Sequence, residues 1–563
     1  MTELDSPADH GHRRPRALAV AALGLAMVSL DGTAVGVALP AVIRDLGLSL
    51  TQAQWVTAVY ALVFAALLIT AWRVGDRFGH RRIFAAGVVV FVAGSLLAAA
   101  ADDASTLIWG RLVQGIGGAA VLPGALATAR AVLRERDRVL AFAAWGVVVS
   151  AVAVVGPVFG GWLSSSFTWP WIFLVNVPIG VVVLAGIVLF VPETTAPEPV
   201  PGPDIDGLLL SAAGFALVVF ALIEGQTYGW WKPVREFDFF GLTWSTRAAS
   251  SPIPLLLLLG AVLLVLFALW ERHRAHAERA ALCDLSWFAE REFRWGSLAV
   301  LAVTLSEFGL LFVLPLYLVN VLDLTTLGGG CVLAAMALGA LAAGGVVAWR
   351  ARLLAPVWIV RAGLALQAVA VAVTALCVSP DVSPWLLGVL LACYGIGLGA
   401  VAAQLAGALL ADGRSVDTGR WAAWLTVRQV GFALGPAVLG GVLGVSLARV
   451  LPDRLSDVPG LQHRAVDEVA VATRESAGGA VTVLREHDGT QAVVDALARG
   501  FADATRLTLL AAAVILFLGF LAASRIPLRA GPTRVPPVDT GEEDTASADD
   551  RAEGDSDELK PSD

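Results

Sequence analysis

VVGPVFGG, Val154 to Gly161, sits inside a long apolar run. Proline removes a backbone donor and clashes with the preceding turn, and glycine is the poorest ordinary helix former, so in water this stretch reads as a loop. In a bilayer it reads as helix, because backbone groups must be satisfied within the segment and neighbouring helices tolerate both residues. Composition decides between the two solvents. Of 563 residues 57% are hydrophobic and 15% charged, with a mean hydropathy of +0.75. Apolar stretches of about 20 residues follow one another almost without pause, which marks a membrane-spanning chain. They fall near 17–39, 55–72, 83–101, 106–129, 139–163, 171–191, 206–224, 253–270, 296–318, 327–349, 356–378, 385–410, 421–447 and 506–524, roughly fourteen helical spans.

Orientation follows from arginine, since the only lysines are Lys232 and Lys560. Arg13, Arg14 and Arg16 precede the first span, Arg73 to Arg82 follow the second, and Arg134, Arg136 and Arg138 follow the fourth. Later clusters at 272–279, 350–352 and 414–420 keep the alternation, while DDAS, SSSFTWP and SPDVSP between them carry no basic residue. Positive-inside logic places both termini in the cytoplasm of a multi-pass plasma-membrane protein. The first stretch lacks a clear cleavage site and is read as a retained helix. The tail, 531–563, holds eleven acidic against three basic side chains, which accounts for the whole net charge of −8, and reads as a disordered, solvated end.

The opening stretch has an echo. GPVFGG at 156–161 returns as GPAVLGG at 435–441, GIGGAA from Gly115 as GIGLGA from Gly395, and AWR at 71–73 as AWR at 348–350. Leu39-Pro40 likewise returns as Leu314-Pro315. A shared order and a nearly constant offset of about 280 residues indicate an internal duplication. It divides the chain into an arm (1–16), a six-helix bundle (17–191), a linker with two inserted helices (192–295), a second bundle (296–525) and the acidic tail (526–563).

These residues carry a resemblance. WRVGDRFGHRR (72–82) resembles the loop signature of the major facilitator superfamily, RLVQGIGGAA (111–120) its fourth-helix motif, and GPVFGG the antiporter motif of its drug/proton exporters. LDGTAVGVALP (30–40), FTWPWIFLVNVPIG (167–180) and ALCDLSWFAEREF (281–293) are similar to its fourteen-helix drug:proton antiporter branch, the QacA/EmrB type. Departures are Trp72 in place of the signature glycine, Gly36 in place of asparagine, and Val152 in place of the glycine that leads the antiporter motif. The resemblance implies an all-α polytopic fold of fourteen helices, arranged as 6+2+6, with two pseudo-symmetric bundles and a substrate path between them.

Charges inside spans cost about 3 kcal/mol at helix centre, so they mark an aqueous path or a partner. Asp31 lies about 21 Å from the cytoplasmic end of the first span, and Arg111 enters the fourth from outside, so the two share the outer half of one bundle. Both match family motif residues, which implies pairing; with Glu307 they are the candidates for proton coupling or substrate contact, and Thr33 and Gln114 stand near them as candidates to line the central path. Glu307, about 16 Å into the ninth span, has no counterpart in the motifs. A carboxyl there suits proton exchange or a cationic cargo, or else bonds to a neighbouring hydroxyl or carbonyl. Arg428 reads as a snorkelling side chain and Glu224 as interfacial. Asp76, Arg77, Gly79, Arg81 and Arg82 form either a latch that breaks as the bundles rock or a set of topology charges. Gly156, Pro157, Gly160 and Gly161 serve either close packing or gating.

Four cysteines show neither disulfide nor metal spacing, and no GxxxxGK[ST] loop is present, so neither a cofactor nor direct ATP drive is expected. Residues 225–252 read as an aromatic belt and 448–505 as a cap over the exit. The resulting expectation is a monomeric, proton-gradient-driven exporter of organic compounds, with no nucleic-acid partner. Its rivals are a dedicated exporter of one secondary metabolite and a polytopic membrane enzyme. The seven histidines all fall outside the spans and form no HxxxxD set, which disfavours the enzyme.

Overall fold

The computed structural model describes residues 7–133, 155–195, 204–239, 241–277, 282–350, 356–410, 418–487 and 489–527. Thirteen described helices are long and apolar enough to cross a membrane. The first bundle comprises α1 (Pro7–Leu46), α2 (Leu50–Phe78), α3 (His80–Ala99), α4 (Ala104–Val132), α5 (155–166) and α6 (Trp171–Phe190, with a turn at Val175). The inserted pair is α7 (Ile205–Tyr228) and α8 (Pro252–His276). The second bundle comprises α9 (Arg291–Asn320), α10 (Thr326–Arg350), α11 (Pro356–Cys377), α12 (Pro384–Leu410), α13 (Thr418–Ser456) and, after two short helices α14 (His463–Glu475) and α15 (Gly479–Arg485), α16 (Gln491–Ser524). The opening stretch is helical from Val155 onward. The earlier part of that expected span, and the acidic tail from 528, lie outside the described residues.

Local sequence sets several helix starts. Ser49 accepts from the Gln52 amide while Gln52 reaches back to the Ser49 amide, a complete capping box. Asp103 and Asp204 cap α4 and α7 through their carboxylates alone, accepting from the Thr106 and Gly207 amides at 2.8 and 3.0 Å. Gly79, at φ +105°, makes the break between α2 and α3 that few other residues tolerate.

In lipid there is no hydrophobic force between helices, so association depends on close packing of small residues. The duplication is visible at this level. A Cβ on Gly115 of α4 would lie 2.6 Å from the Tyr60 carbonyl oxygen of α2, and one on its repeat partner Gly395 of α12 would meet the Met336 carbonyl of α10. Gly117 likewise abuts Phe91 of α3, and Gly397 abuts Gly363 of α11. Corresponding glycines thus seat corresponding helices in both halves.

A short hairpin adds to the expected all-α architecture. The chain is not wholly helical: Phe237–Phe239 and Leu242–Trp244 pair antiparallel in the aromatic loop after α7, as β1 and β2. The two helices of the 448–505 segment sit against the end of α9, where the Asn320 side-chain amide donates to the Ala477 carbonyl at 3.0 Å and Arg485 pairs with Asp323. The inserted α7 touches both bundles. Trp55 Nε1 of α2 donates to Glu224 at 2.9 Å, and Gln226 packs on Gly444 of α13. Glu224 thereby ties the outer end of α7 to that of α2.

Candidate functional site

Asp31 and Arg111 come together in the first bundle, both about 1% exposed. Arg111 Nη1 donates to Asp31 Oδ2 and, at 2.8 Å, to Gln114 Oε1, while its Nε donates to the Val56 carbonyl at 3.2 Å. Its guanidinium lies 4.4 Å from the Tyr60 ring centre. Gln114 Nε2 donates to Asp31 Oδ1 (2.9 Å) and to Ser95 (2.8 Å), and Asn176 donates to the same two oxygens at 3.0 and 3.2 Å. One carboxylate thus accepts from three side chains contributed by α4 and α6. Charge-assisted donors of this kind are what makes a buried ion pair tolerable in a dry interior.

Gln114 does not line the path: it is fully buried, because both ends of its amide are spent on Asp31, Arg111 and Ser95. Ser95, Asn176 and Tyr60 were not singled out, being uncharged, although Asn176 stands in the FTWPWIFLVNVPIG run. Thr33, the other path candidate, bonds carbonyls of its own helix and packs on Gly156. Replacing Asn176 with alanine is expected to cost about 1–3 kcal/mol through the donor lost to Asp31. An unchanged denaturation midpoint of the purified protein would contradict that role.

Glu307 is half-buried in α9, within electrostatic reach of Arg428 on α13 and Tyr394 on α12. Arg428, read as a snorkelling side chain, lies about 15 Å along α13, within electrostatic reach of Glu307 but without an ion pair to it among the described residues. Phe308, next to Glu307, stacks on Phe432 at 3.6 Å between centroids, and Phe432 meets Tyr60 and Gly32 of the first bundle. The inter-bundle contact thus begins one residue from Glu307.

Beyond that level the bundles close on the face away from the arginine-rich loops. A Cβ on Gly36 would lie 2.9 Å from the Leu311 carbonyl oxygen, and one on Gly161 of the antiporter motif 2.7 Å from that of Thr326. Pro157 meets Gly330 there as well. The echoed motif acts on the other side: Gln54 of α2 donates to the Pro436 carbonyl at 2.9 Å, and a Cβ on Gly440 would lie 2.6 Å from that amide. Gly156 and Gly160, by contrast, seat α5 on Thr33 and Ala34 of α1. Among the described residues, all hydrogen bonds, ring contacts and close glycine contacts between the two bundles lie at or outward of the Tyr60–Phe432 level.

On the arginine-rich face the loop residues contact their own bundle. Asp76 lies 2.8 Å from the side chain of His80, the first residue of α3, across the break at Gly79. Arg81 donates to the Val188 carbonyl at 2.8 Å, Arg82 pairs with Glu193 at 3.5 Å, and Arg77 stacks on Phe78. Nearby, the inserted helices close on themselves. Asp204 accepts from Trp270 (3.1 Å) and pairs with Arg274 (3.2 Å), and Glu271 accepts from the Cys283 amide at 2.9 Å. Burial pushes the Cys283 thiol up to about 12, so it stays protonated and unreactive at neutral pH.

The sequence matches the family described as Major Facilitator Superfamily over residues 21–436. It is 32% identical over 460 residues to a probable actinorhodin transporter of Streptomyces coelicolor, covering 79% of this chain and 75% of that protein. It is 34% identical over 435 residues to puromycin resistance protein pur8 of Streptomyces alboniger, covering 76% and 81%. Among solved structures, a bacterial homolog of the human lysosomal transporter Spinster, in an inward-facing and unoccupied conformation, superposes with a TM-score of 0.61. Identity there is 17%, with 93% of this chain and 98% of that chain covered.

Proposed function

The chain belongs to the major facilitator superfamily, as a multi-pass membrane transporter and not an enzyme, and from that premise we propose that it exports organic, hydrophobic or amphipathic compounds in exchange for protons. In this reading the arginine-rich face is cytoplasmic, both termini lie there, the membrane is the plasma membrane, and the protein belongs to the fourteen-helix antiporter branch and acts as a monomer. The observation that carries the reading is Glu307, a half-buried carboxyl without a hydrogen-bond partner among the described residues. It stands at mid-depth, one residue from the bundle contact and opposite Arg428. The printed names of the relatives, an actinorhodin transporter and a puromycin resistance protein, support export of such compounds.

The cycle follows from charge and packing. With the outer face sealed, cargo enters from the cytoplasmic side while Glu307 is ionised beside Arg428. The bundles rock about the Tyr60–Phe432 contact, the outer seal parts, and a proton from outside neutralises Glu307, weakening its hold on a cationic or polar group of the cargo. Neutral Glu307 lets the outer face close again, and the proton leaves inward. Asp31, held by three donors, keeps Arg111 and α6 in register, and Glu307 carries the one coupled proton. Moving net positive charge inward gains about 2.3 kcal/mol per charge per 100 mV. The Asp76–Arg82 loop, seated on its own bundle in the inward-facing form, engages the second bundle as a latch when the inner side closes.

The outer seal makes a separate prediction. Gly440→Leu drives a side chain into Gln54 across the seal and into Phe312 of its own bundle, and the part of this overpacking of about 1–3 kcal/mol that falls on Gln54 burdens the outer-closed state alone. In a background without native cysteines, labelling of Thr57→Cys by an externally added impermeant maleimide is expected to rise about fivefold or more. Unchanged labelling would show that the echoed motif does not hold the seal.

A second reading keeps the fold and narrows the cargo to one metabolite of the producing cell. It is favoured by relatives whose names each carry one compound. Expression in a sensitive host separates the two: protection against many unrelated dyes and antibiotics supports the broad reading, and protection against one scaffold the narrow one.

A further inference from the structure

Between α9 and α16 a groove of about 340 Å³ opens sideways on the lipid-facing surface. Its floor is built of small residues, Ala302 on α9 with Gly519 and Ala522 on α16, and a Cβ on Gly519 would lie 2.7 Å from that of Ala302. Leu298, Leu518 and Leu521 form exposed walls. Trp295 and Arg525 close one end. The Arg525 guanidinium lies 5.2 Å from the centre of the Trp295 ring, and that of Arg294 5.6 Å from the same ring. Neither arginine is ion-paired among the described residues, and Glu290, at the start of α9, is taken by Arg420 at 2.6 Å.

Length settles what fits. From Trp295 to Leu305, the lining residue at the other end of α9, is ten residues, about 15 Å at 1.5 Å per residue. That is half of a hydrocarbon core of about 30 Å, so the groove is one leaflet deep. It is apolar along its length and doubly cationic where the headgroup layer begins, with an indole at the level that tryptophan favours.

We propose that this groove binds one anionic phospholipid, with an acyl chain along the Ala302–Gly519 floor and the phosphate and headgroup between Arg294 and Arg525. Guanidinium forks recognise phosphate oxygens, and a headgroup without a compensating cation keeps the full attraction of both. A zwitterionic lipid offers the same chain but carries its own ammonium, so it gains less. In the orientation proposed above the leaflet is the cytoplasmic one. The binding itself does not depend on that orientation or on transport, so its failure would leave both untouched.

The test is lipid binding to the detergent-purified full chain, followed by native mass spectrometry with dioleoylphosphatidylglycerol or dioleoylphosphatidylcholine. The wild-type protein is expected to bind the anionic lipid about tenfold more tightly. Arg294→Gln with Arg525→Gln should abolish the preference, and Arg294→Lys with Arg525→Lys should keep most of it, which separates lost charge from a misfolded variant. Chain-brominated phosphatidylglycerol should quench wild-type fluorescence more than that of Trp295→Phe, placing the chain in this groove. Equal affinity for the two lipids, or a preference that survives in the double glutamine variant, would overturn the proposal. So would quenching that Trp295→Phe leaves unchanged, or displacement of the anionic lipid by an uncharged lipophilic dye of equal affinity, which would make the groove an entry for cargo.

Discussion

An Asp31→Leu protein is expected to lose about 3–5 kcal/mol of stability, because the substitution leaves a buried guanidinium without its counter-charge. Arg111 would keep Gln114, the Val56 carbonyl and the face of Tyr60, none of which is an anion. Arg111→Leu should be similarly damaging for the converse reason, since Gln114 and Asn176 alone would then face the carboxylate. The double variant is the informative one. Removing both charges restores neutrality, so its loss should be smaller than the sum of the single losses, with a coupling of about 2 kcal/mol or more between residues in direct contact. Denaturation midpoints of the detergent-purified proteins measure this, and additive losses would show that the pair is not held as described.

Glu307→Gln is expected to produce the largest change in transport. Glutamine imitates the protonated carboxyl and cannot release a proton, so exchange of labelled for unlabelled cargo should continue while uphill accumulation stops. One pH unit is worth 1.36 kcal/mol per proton, about a tenfold accumulation ratio for one coupled proton. The wild-type ratio should rise by about that factor per imposed unit and the variant should stay near unity. Arg428→Gln should act in the same direction but less severely, because it removes the charge that faces Glu307 and leaves the proton carrier. A Glu307→Gln protein that concentrates cargo as steeply as the wild type would remove this residue from the cycle.

How far the sequence could be read depends on how each feature is encoded. The helices, the repeat and the Asp31–Arg111 pair were legible because each is a contrast with lipid: long apolar runs, glycines recurring at one offset, and charges too costly to stand alone. Ser95, Asn176 and Tyr60 were not, since a neutral polar side chain in a span is cheap and leaves no such contrast. Gln114 stood out in the fourth-helix motif, but which way its amide turns is set by α1 and α3, distant in sequence. The Asp76–His80 contact depends on the positive φ of Gly79, and the β1–β2 hairpin on a turn at Gly241 inside a loop read for its aromatics. That α7 leans on Trp55 through Glu224 is announced by nothing in the chain.

Export into proteoliposomes under imposed gradients tests the central claim most directly. With purified protein, a fluorescent amphipathic cargo and a pH gradient but no sodium gradient, the account predicts uphill accumulation that collapses with a protonophore and is absent in Glu307→Gln. Accumulation driven by a sodium gradient at equal pH, or cargo movement that never exceeds equilibrium in the wild-type protein, would contradict it.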